Sequence, residues 1–356
     1  MRHTSDAAVS TRDSRQNVTW RECRIDRGEK RVAQSATVSR TGPFVHNPFV
    51  HNPSSTPAGA TRAWLGPTLA LTGAFAFSAK SIFAKIAYGA SSLDAITLLT
   101  FRMIFSIPFF ALMVLIARRQ GNQAPLTRTD WIALAWLGFI GYYLSSLLDF
   151  SGLQYISASL ERLILFLNPT IVVALSAIIY KKPVTRRTIA AILLSYAGIV
   201  IVFAHDFEAA PEMRALLIGS GLVFASATSY ALYLVSNGDL IRRLGATRFT
   251  AYGMMISSLF VFTHFFTTRP ASMLDQPSIV YWNMAGMAVF STVLPIWLSS
   301  EAIRLIGSSR VALMSTIGPI MTIGLGAIFL REPVTSVQMI GALLVMAGVA
   351  LVTLKP

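Results

Sequence analysis

The sequence predicts an all-α integral membrane protein with ten transmembrane helices, arranged as two inverted five-helix repeats with both termini in the cytoplasm. Three observations lead to this prediction. Apolar runs recur from Trp64 onwards in a chain that is 54% hydrophobic and only 13% charged. Lysine and arginine are concentrated in alternate connectors between these runs. The chain also matches itself when it is shifted by 150 residues.

The segment 1–63 differs from the rest, because it is polar and rich in Arg and Ser. It holds ten Lys/Arg and five Asp/Glu, and it is predicted to be a disordered, basic cytoplasmic tail. It lacks the apolar core of a secretory signal peptide. His46 and His51 belong to a tandem Phe-Val-His-Asn-Pro repeat, which indicates a local duplication rather than a metal site. The single Cys23 allows no internal disulfide. Whether the tail belongs to the native protein stays open at this point.

The ten apolar runs after the tail have the length that a membrane crossing needs. At the rise of an α-helix, about 20 residues cross a hydrocarbon core of ~30 Å. Helices are predicted because a helix satisfies its own backbone hydrogen bonds in lipid, and the runs lack the polar–apolar alternation of barrel strands. The predicted helices are 64–88, 94–117, 131–148, 159–180, 187–204, 215–237, 249–267, 281–301, 310–330 and 337–354.

The distribution of basic residues predicts the orientation. With the N-terminus inside, the inner connectors and the C-terminus hold thirteen Lys/Arg, whereas the outer connectors hold three. Inner connectors of membrane proteins carry such an excess of positive charge. The net charge of +14 is therefore attributed to topology in the cytoplasmic membrane, and no nucleic-acid partner is expected. The lipid bilayer and a small molecule are the expected partners, and both a monomer and a homodimer remain open.

The internal repeat is clearest between residues 153–202 and 303–352, which share 15 identities in 50 positions. The matches include a proline at 169 and 319, Pro-Val-Thr at 183–185 and 333–335, and Ala-Gly at 197–198 and 347–348. Each half has five predicted helices, an odd number, so the second half must enter the membrane with the opposite polarity. The predicted repeats are 64–205 and 206–356. Inverted repeats of this kind suit alternating access around a central site.

These motifs resemble those of the EamA-type drug/metabolite transporters. The resemblance covers 64–354 and rests on the Pro-bearing fourth helix of each unit, the Pro-Val-Thr connector and the Ala-Gly-containing last helix. The second copy carries the family's glutamate as Glu332, whereas the first copy has Lys182 at that place. Lys85 and Arg102 also lie where this family often has basic residues. The resemblance implies a cytoplasmic-membrane carrier that exports a small metabolite, such as an amino acid or a related compound.

Two other functions stay open from the sequence: a membrane-embedded sensor or scaffold, and a lipid-modifying enzyme. A secondary carrier is favoured over an enzyme because the chain lacks GxxxxGK[ST], HExxH and GxSxG motifs and any His/Cys metal cluster. No catalytic residue, cofactor or metal is therefore predicted.

Ionisable residues inside the predicted helices are the first candidates for substrate binding. Such residues cost roughly 2.5 kcal/mol or more at bilayer depth, so they usually face a cavity or a partner. Lys80, Arg102, Asp149, Glu161 and Arg162 all lie in the outer half of the predicted membrane region. One interpretation gives a substrate carboxylate to Arg102 or Lys80 and a cation or proton to Glu161 or Asp149. The other pairs the two carboxylates with Arg102 and Arg162 as a lock between helices.

A polar stripe on the sixth predicted helix supplies the second set of candidates. Ser226, Tyr230, Tyr233 and Asn237 follow one another at helical spacing on an otherwise apolar helix. The stripe is ordinary as a contact between helices. As the lining of a pathway, Tyr230 and Tyr233 would stack on a planar or apolar substrate.

Overall fold

The computed structural model describes residues 60–119, 125–181, 183–209 and 212–353. The predicted tail lies outside these residues apart from its last four, and so do Lys182 and the C-terminal Lys355. Within the described ranges every regular element is a helix.

Nine helical spans in the described part of the chain are long and apolar enough to cross a membrane. They are Trp64–Ala90, Ala95–Arg119, Arg128–Leu153, Ala158–Tyr180, Arg186–Phe207, Met213–Ser236, Ala246–Thr268, Ser278–Ile306 and Arg310–Leu330, and they are called spans 1 to 9 below. The final helix is Ser336–Thr353, and its apolar part, Ser336–Leu351, is shorter than the nine spans. The protein is thus a multi-pass membrane protein with a helix at each of the ten predicted positions.

Irregularities in these helices recur at the 150-residue spacing of the sequence repeat. Span 3 contains a π-helical segment at Phe139–Leu144, and span 8 contains one at Val289–Val293. Span 4 is divided into helices Ala158–Leu165 and Asn168–Tyr180, and span 9 is divided into Ser308–Ser315, Gly318–Leu325 and a π-helical turn Gly326–Leu330. The second half-helix begins with a proline at its first turn in both cases, which explains the break. The two halves therefore share backbone detail as well as sequence.

Span 1 departs from the predicted continuous helix 64–88. It consists of Ala60–Ser78 and Lys80–Ala90, which are separated at Ala79. The Ser78 hydroxyl lies within hydrogen-bond distance of the carbonyls of Ala74 (2.9 Å) and Gly318 (3.2 Å). A serine that bonds back to its own helix favours a bend. Span 6, its counterpart in the second half, is one continuous helix, so this break distinguishes the two halves.

The spans of the first half pack mainly on spans of the second half. Span 1 contacts span 8 and span 3 contacts span 6, while span 2 packs on span 7 and span 4 on span 9. Span 5 packs along the final helix. Spans 1 to 5 correspond in order to spans 6 to 9 and the final helix. Exchanging the halves converts the pairing of spans 1 and 8 into that of spans 3 and 6, and it leaves the other three pairings unchanged. The packing is thus that of a two-repeat protein with one shared interior.

The connector between spans 1 and 2 is fixed to the connector after span 7. The Asp94 carboxylate accepts a hydrogen bond from the backbone N–H of Thr97 (3.1 Å) at the start of span 2, and it pairs with Arg269 (2.5 Å). Partial burial raises the pKa of the Asp94 carboxyl, but the hydrogen bonds from Thr97 and Arg269 outweigh burial and hold the pKa below its ordinary value. Asp94 therefore caps span 2 and joins the two halves at this end.

Candidate functional site

A cavity of about 670 Å³ lies between spans of both halves. Small-molecule sites typically have volumes of about 300–1,000 Å³, so the cavity fits a metabolite. Four of the predicted site residues line it, namely Lys80, Arg102, Asp149 and Tyr230. The second half contributes Ser226, Thr250, Met254, Ser291, Thr292 and Ile296. The cavity therefore combines charged groups of the first half with polar and apolar groups of the second.

Lys80 is the centre of a buried ion-pair cluster. Its Nζ lies 2.5 Å from Oδ2 of Asp149 and 3.2 Å from Oε1 of Glu161. Glu161 is fully buried, and its Oε2 accepts a hydrogen bond from the Ser81 hydroxyl at 2.8 Å. One ammonium group thus faces two carboxylates, and these four side chains join spans 1, 3 and 4.

The break in span 1 explains the position of this cluster. Lys80 is the first residue of the half-helix Lys80–Ala90, whose N-terminal end carries unpaired backbone N–H groups and a partial positive charge. A lysine is unfavourable there unless negative charge compensates for it. Asp149 and Glu161 supply that charge, because both approach Lys80 at this end of the half-helix.

The two arginines of the site contact aromatic rings rather than carboxylates. The Cζ atom of Arg102 lies 5.7 Å from the ring centroid of Phe150, and Nη1 of Arg102 donates to the Ser146 hydroxyl at 3.3 Å. The Cζ atom of Arg162 lies 4.9 Å from the ring centroid of Phe77. Within the described ranges, neither guanidinium has a carboxylate at ion-pair distance. The Nε atoms of both arginines are buried and have no hydrogen-bond partner there.

This arrangement differs from the helix lock considered from the sequence, which paired Asp149 and Glu161 with Arg102 and Arg162. Both carboxylates contact Lys80 instead. Since the break at Ala79 places the Lys80 ammonium between them, the two arginines remain available to the cavity.

The two tyrosines of span 6 have different surroundings. Tyr230 lines the cavity and is 37% exposed, whereas Tyr233 is 4% exposed and is not among the cavity-lining residues. The Tyr233 hydroxyl lies 2.6 Å from that of Tyr142, and its ring packs on Gly141, where an added Cβ would lie 2.4 Å from the ring. Tyr233 therefore joins spans 3 and 6, and of the two tyrosines Tyr230 faces the interior space. Ser226 also lines the cavity, while its hydroxyl donates to the Ser145 carbonyl at 2.6 Å.

Glu332 holds the half-helix that carries Glu161 and Arg162. One carboxylate oxygen accepts from the backbone N–H of Ala158 at 2.9 Å. The other accepts from the N–H of Ser159 at 3.3 Å and from its hydroxyl at 2.9 Å. A carboxylate at a helix N-terminus satisfies free N–H groups and interacts favourably with the helix dipole. A residue of the second half thereby positions two charged residues of the first.

Replacing Glu332 by Ala is expected to lower stability by about 1–2 kcal/mol, the usual cost of losing a helix cap. The thermal unfolding midpoint of the purified protein in detergent measures the loss. Glu332→Gln should lose less, because the amide oxygen still accepts a hydrogen bond. Glu301→Ala is the matched control, since that carboxylate pairs with the exposed Arg304 at the surface. Equal midpoints for Glu332→Ala and Glu301→Ala would contradict the capping role.

Sequence reasoning missed several contributors to the site, and three of them make contacts that shape it. These are Ser81, which binds Glu161; Phe77, which lies under Arg162; and Asn168, which lines the cavity and donates to the Ala227 carbonyl at 2.9 Å. Asn168 had a signal, because Asn-Pro inside an apolar helix marks a break. Ser81 and Phe77 had none beyond their proximity to Lys80.

Comparison with known proteins identifies the family of this fold. The model of the EamA-like transporter family matches residues 64–204 and again residues 217–354. The Uncharacterized transporter YcbK of Bacillus subtilis (strain 168) is 33% identical over 282 residues, which cover 78% of this chain and 88% of that protein. The Uncharacterized transporter YyaM of the same organism is 26% identical and covers 69% of this chain and 80% of its own length.

A crystal structure of a protein with 14% sequence identity covers 80% of this chain and 95% of that chain with a TM-score of 0.54. At this identity the likeness concerns the fold alone. The two family matches fall on the two repeats that share their helix breaks, and the names of the relatives point to transport rather than to an enzyme. The chain belongs to the EamA-like transporter family.

Proposed function

We propose that the protein is a secondary carrier that exports a small metabolite by alternating access. The observation that carries the proposal is the cavity, which both repeats line and whose wall includes charged residues of the candidate membrane spans. Carriers built from two repeats typically bind substrate between the repeats, near interrupted helices. Here the broken spans 1 and 4 carry Lys80 and Arg162, which both line the cavity.

The proposed topology has ten membrane crossings, with the final helix Ser336–Thr353 as the tenth. The halves 64–205 and 206–356 are inverted relative to each other, and both termini lie in the cytoplasm. The excess of basic residues in the inner connectors supports this orientation. The proposed location is the cytoplasmic membrane. The proposed driving force is proton exchange or the gradient of the substrate.

Access of solutes to the cavity can be tested with a single engineered cysteine. In a Cys23→Ser background the chain has no other cysteine, so Thr250→Cys places one thiol at the cavity lining. In proteoliposomes without ATP, we expect uptake of a metabolite panel by the unmodified carrier. A bulky methanethiosulfonate reagent should block this uptake in Thr250→Cys, because the added group fills the space that the solute must occupy.

Ile132→Cys provides the matched control, since Ile132 is 70% exposed on the outside of the helix assembly and its modification leaves the cavity free. Folding of each variant is verified by gel filtration. Absence of flux for the whole panel in folded, unmodified protein would contradict the carrier function. Equal block in both cysteine variants would contradict the cavity as the pathway.

A further inference from the structure

The charges at the cavity do not balance. Lys80, Arg102, Arg162 and Asp149 line it, and the fully buried Glu161 contacts Lys80. Three cationic groups therefore oppose two carboxylates, and both carboxylates are engaged by Lys80. One positive charge is therefore in excess, and Arg102 and Arg162 share it.

The arginines also have hydrogen-bonding capacity to spare. A guanidinium has five N–H donors, and Arg102 uses one of its donors on Ser146. Arg162 is only 8% exposed, yet its guanidinium has no hydrogen-bond or ion-pair partner within the described residues, and its Nε is buried. Buried charges are normally paired and buried donors normally bonded. A buried guanidinium without such partners at a cavity wall is therefore available to an acceptor from outside the chain.

Gly318 provides the space for this guanidinium. A Cβ at Gly318 would lie 2.7 Å from Nη2 of Arg162, so the arginine packs directly against the broken helix of span 9. The guanidinium also lies over the ring of Phe77. The Phe77 ring attracts the guanidinium and Gly318 leaves room for it, but neither residue carries a negative charge that would neutralise it. The planar, fixed fork that results suits a carboxylate, which an arginine binds through two parallel hydrogen bonds.

We propose that the cavity binds small organic acids as monoanions, with Arg162 and Arg102 holding the carboxylate. The inference rests on the proposed carrier function and names its substrate class. A monoanion brings the cavity to electrical neutrality, whereas a zwitterionic amino acid leaves the positive charge uncompensated. The body of the acid lies against the apolar lining, which includes Phe166, Met254 and Ile296, with Tyr230 beside it.

Two matched series of probes test the headgroup while the body stays constant. The first series is 3-phenylpropanoate, phenylalanine and phenethylamine, and the second is hexanoate, norleucine and pentylamine. In each series the members are an anion, a zwitterion and a cation with the same apolar body, and the amine is the amino acid without its carboxyl group. Dissociation constants are measured on the purified full chain in detergent, and flux is measured in proteoliposomes. We expect the anion of at least one series to bind and to be transported. The dissociation constants of the zwitterion and the cation should be at least roughly ten times higher than that of the anion.

Variants then locate the carboxylate. Arg162→Gln should weaken anion binding roughly ten- to a hundredfold, the usual effect of losing hydrogen bonds to a charged group. Arg162→Lys keeps the charge and should lose less, while Gly318→Ala keeps the arginine and displaces it, again with a smaller loss. These two variants keep the test valid if Arg162→Gln does not fold. Arg304→Gln, an exposed arginine paired with Glu301, is the control and should bind as the unmodified protein does.

The outcomes separate this inference from the carrier function. Flux of zwitterions or cations in preference to anions would overturn the inference and leave the carrier function intact. Failure of every carboxylate to bind would also overturn it, and so would anion affinity that is unchanged in both Arg162→Lys and Gly318→Ala. Binding of an anion without flux of any probe would contradict the carrier function and leave the binding site standing.

Discussion

Replacing Lys80 by Met is expected to lower the stability of the protein by about 3–5 kcal/mol, the effect of breaking a buried ion pair by removing one partner. The substitution leaves Asp149 and Glu161 buried without the ammonium group that contacts both of them. Methionine has a similar length and packs without a cavity, so the loss reports charge rather than volume. The thermal unfolding midpoint in detergent, followed by gel filtration of the heated protein, measures the effect.

Two further variants show whether the unpaired carboxylates cause that loss. The triple variant Lys80→Met, Asp149→Asn, Glu161→Gln removes all three charges and should recover much of the stability, because neutral polar groups cost less to bury than ions. Arg304→Met breaks the surface pair with Glu301 and should cost no more than about 1 kcal/mol. If Lys80→Met is as stable as Arg304→Met, the cluster does not carry the energy attributed to it.

Much of the fold follows from local sequence properties. Apolar length alone places helices at the ten predicted positions, since lipid leaves the backbone no other partners. The helix ends were harder to place. Span 3 starts at Arg128 rather than at the predicted residue 131, because Thr127 and Asp130 form a reciprocal capping box before it. The predicted continuous helix 159–180 is in fact divided, and Pro169 lies at the start of its second part. The break at Ala79 has no proline or glycine beside it, and the neighbouring Ser78 contacts the Gly318 carbonyl.

The charged site could be listed from the sequence but could not be assembled. A charge within an apolar run identifies Lys80, Arg102, Asp149, Glu161 and Arg162 individually. Which of these groups pair depends on how spans 1, 3 and 4 cross. It also depends on the break in span 1, which no local sequence feature predicts. Several pairings of these acidic and basic residues satisfy charge complementarity, and only the tertiary structure selects one of them. The same limit applies to the polar stripe of span 6, where helical spacing selects Tyr230 and Tyr233 but cannot distinguish lining from packing.

Substituting Gly348 by Ala is expected to destabilise the protein by about 1–3 kcal/mol, the usual range for overpacking. The final helix packs tightly against span 5 at Gly348. A Cβ at Gly348 would lie 2.7 Å from the Ala191 carbonyl oxygen and 2.8 Å from the Ser195 nitrogen. These are backbone atoms, so no side-chain rotation relieves the overlap. Gly198 and Gly341 meet in the same interface, each with its Cβ position 2.7 Å from the carbonyl oxygen of the other.

Gly221→Ala is the control that separates the effect of the clash from the effect of replacing glycine by alanine in a helix. Gly221 lies within span 6, and an added Cβ there meets nothing within 4 Å. Alanine is favoured over glycine in a helix by up to about 1 kcal/mol, so Gly221→Ala should leave the unfolding midpoint unchanged or raise it. The same propensity gain applies to Gly348→Ala, where only the clash opposes it. A midpoint that rises in both variants would mean that span 5 and the final helix separate without cost. Since these helices carry equivalent Ala-Gly pairs of the two repeats, a measured loss specific to Gly348 would identify their interface as a close-packed contact between the halves.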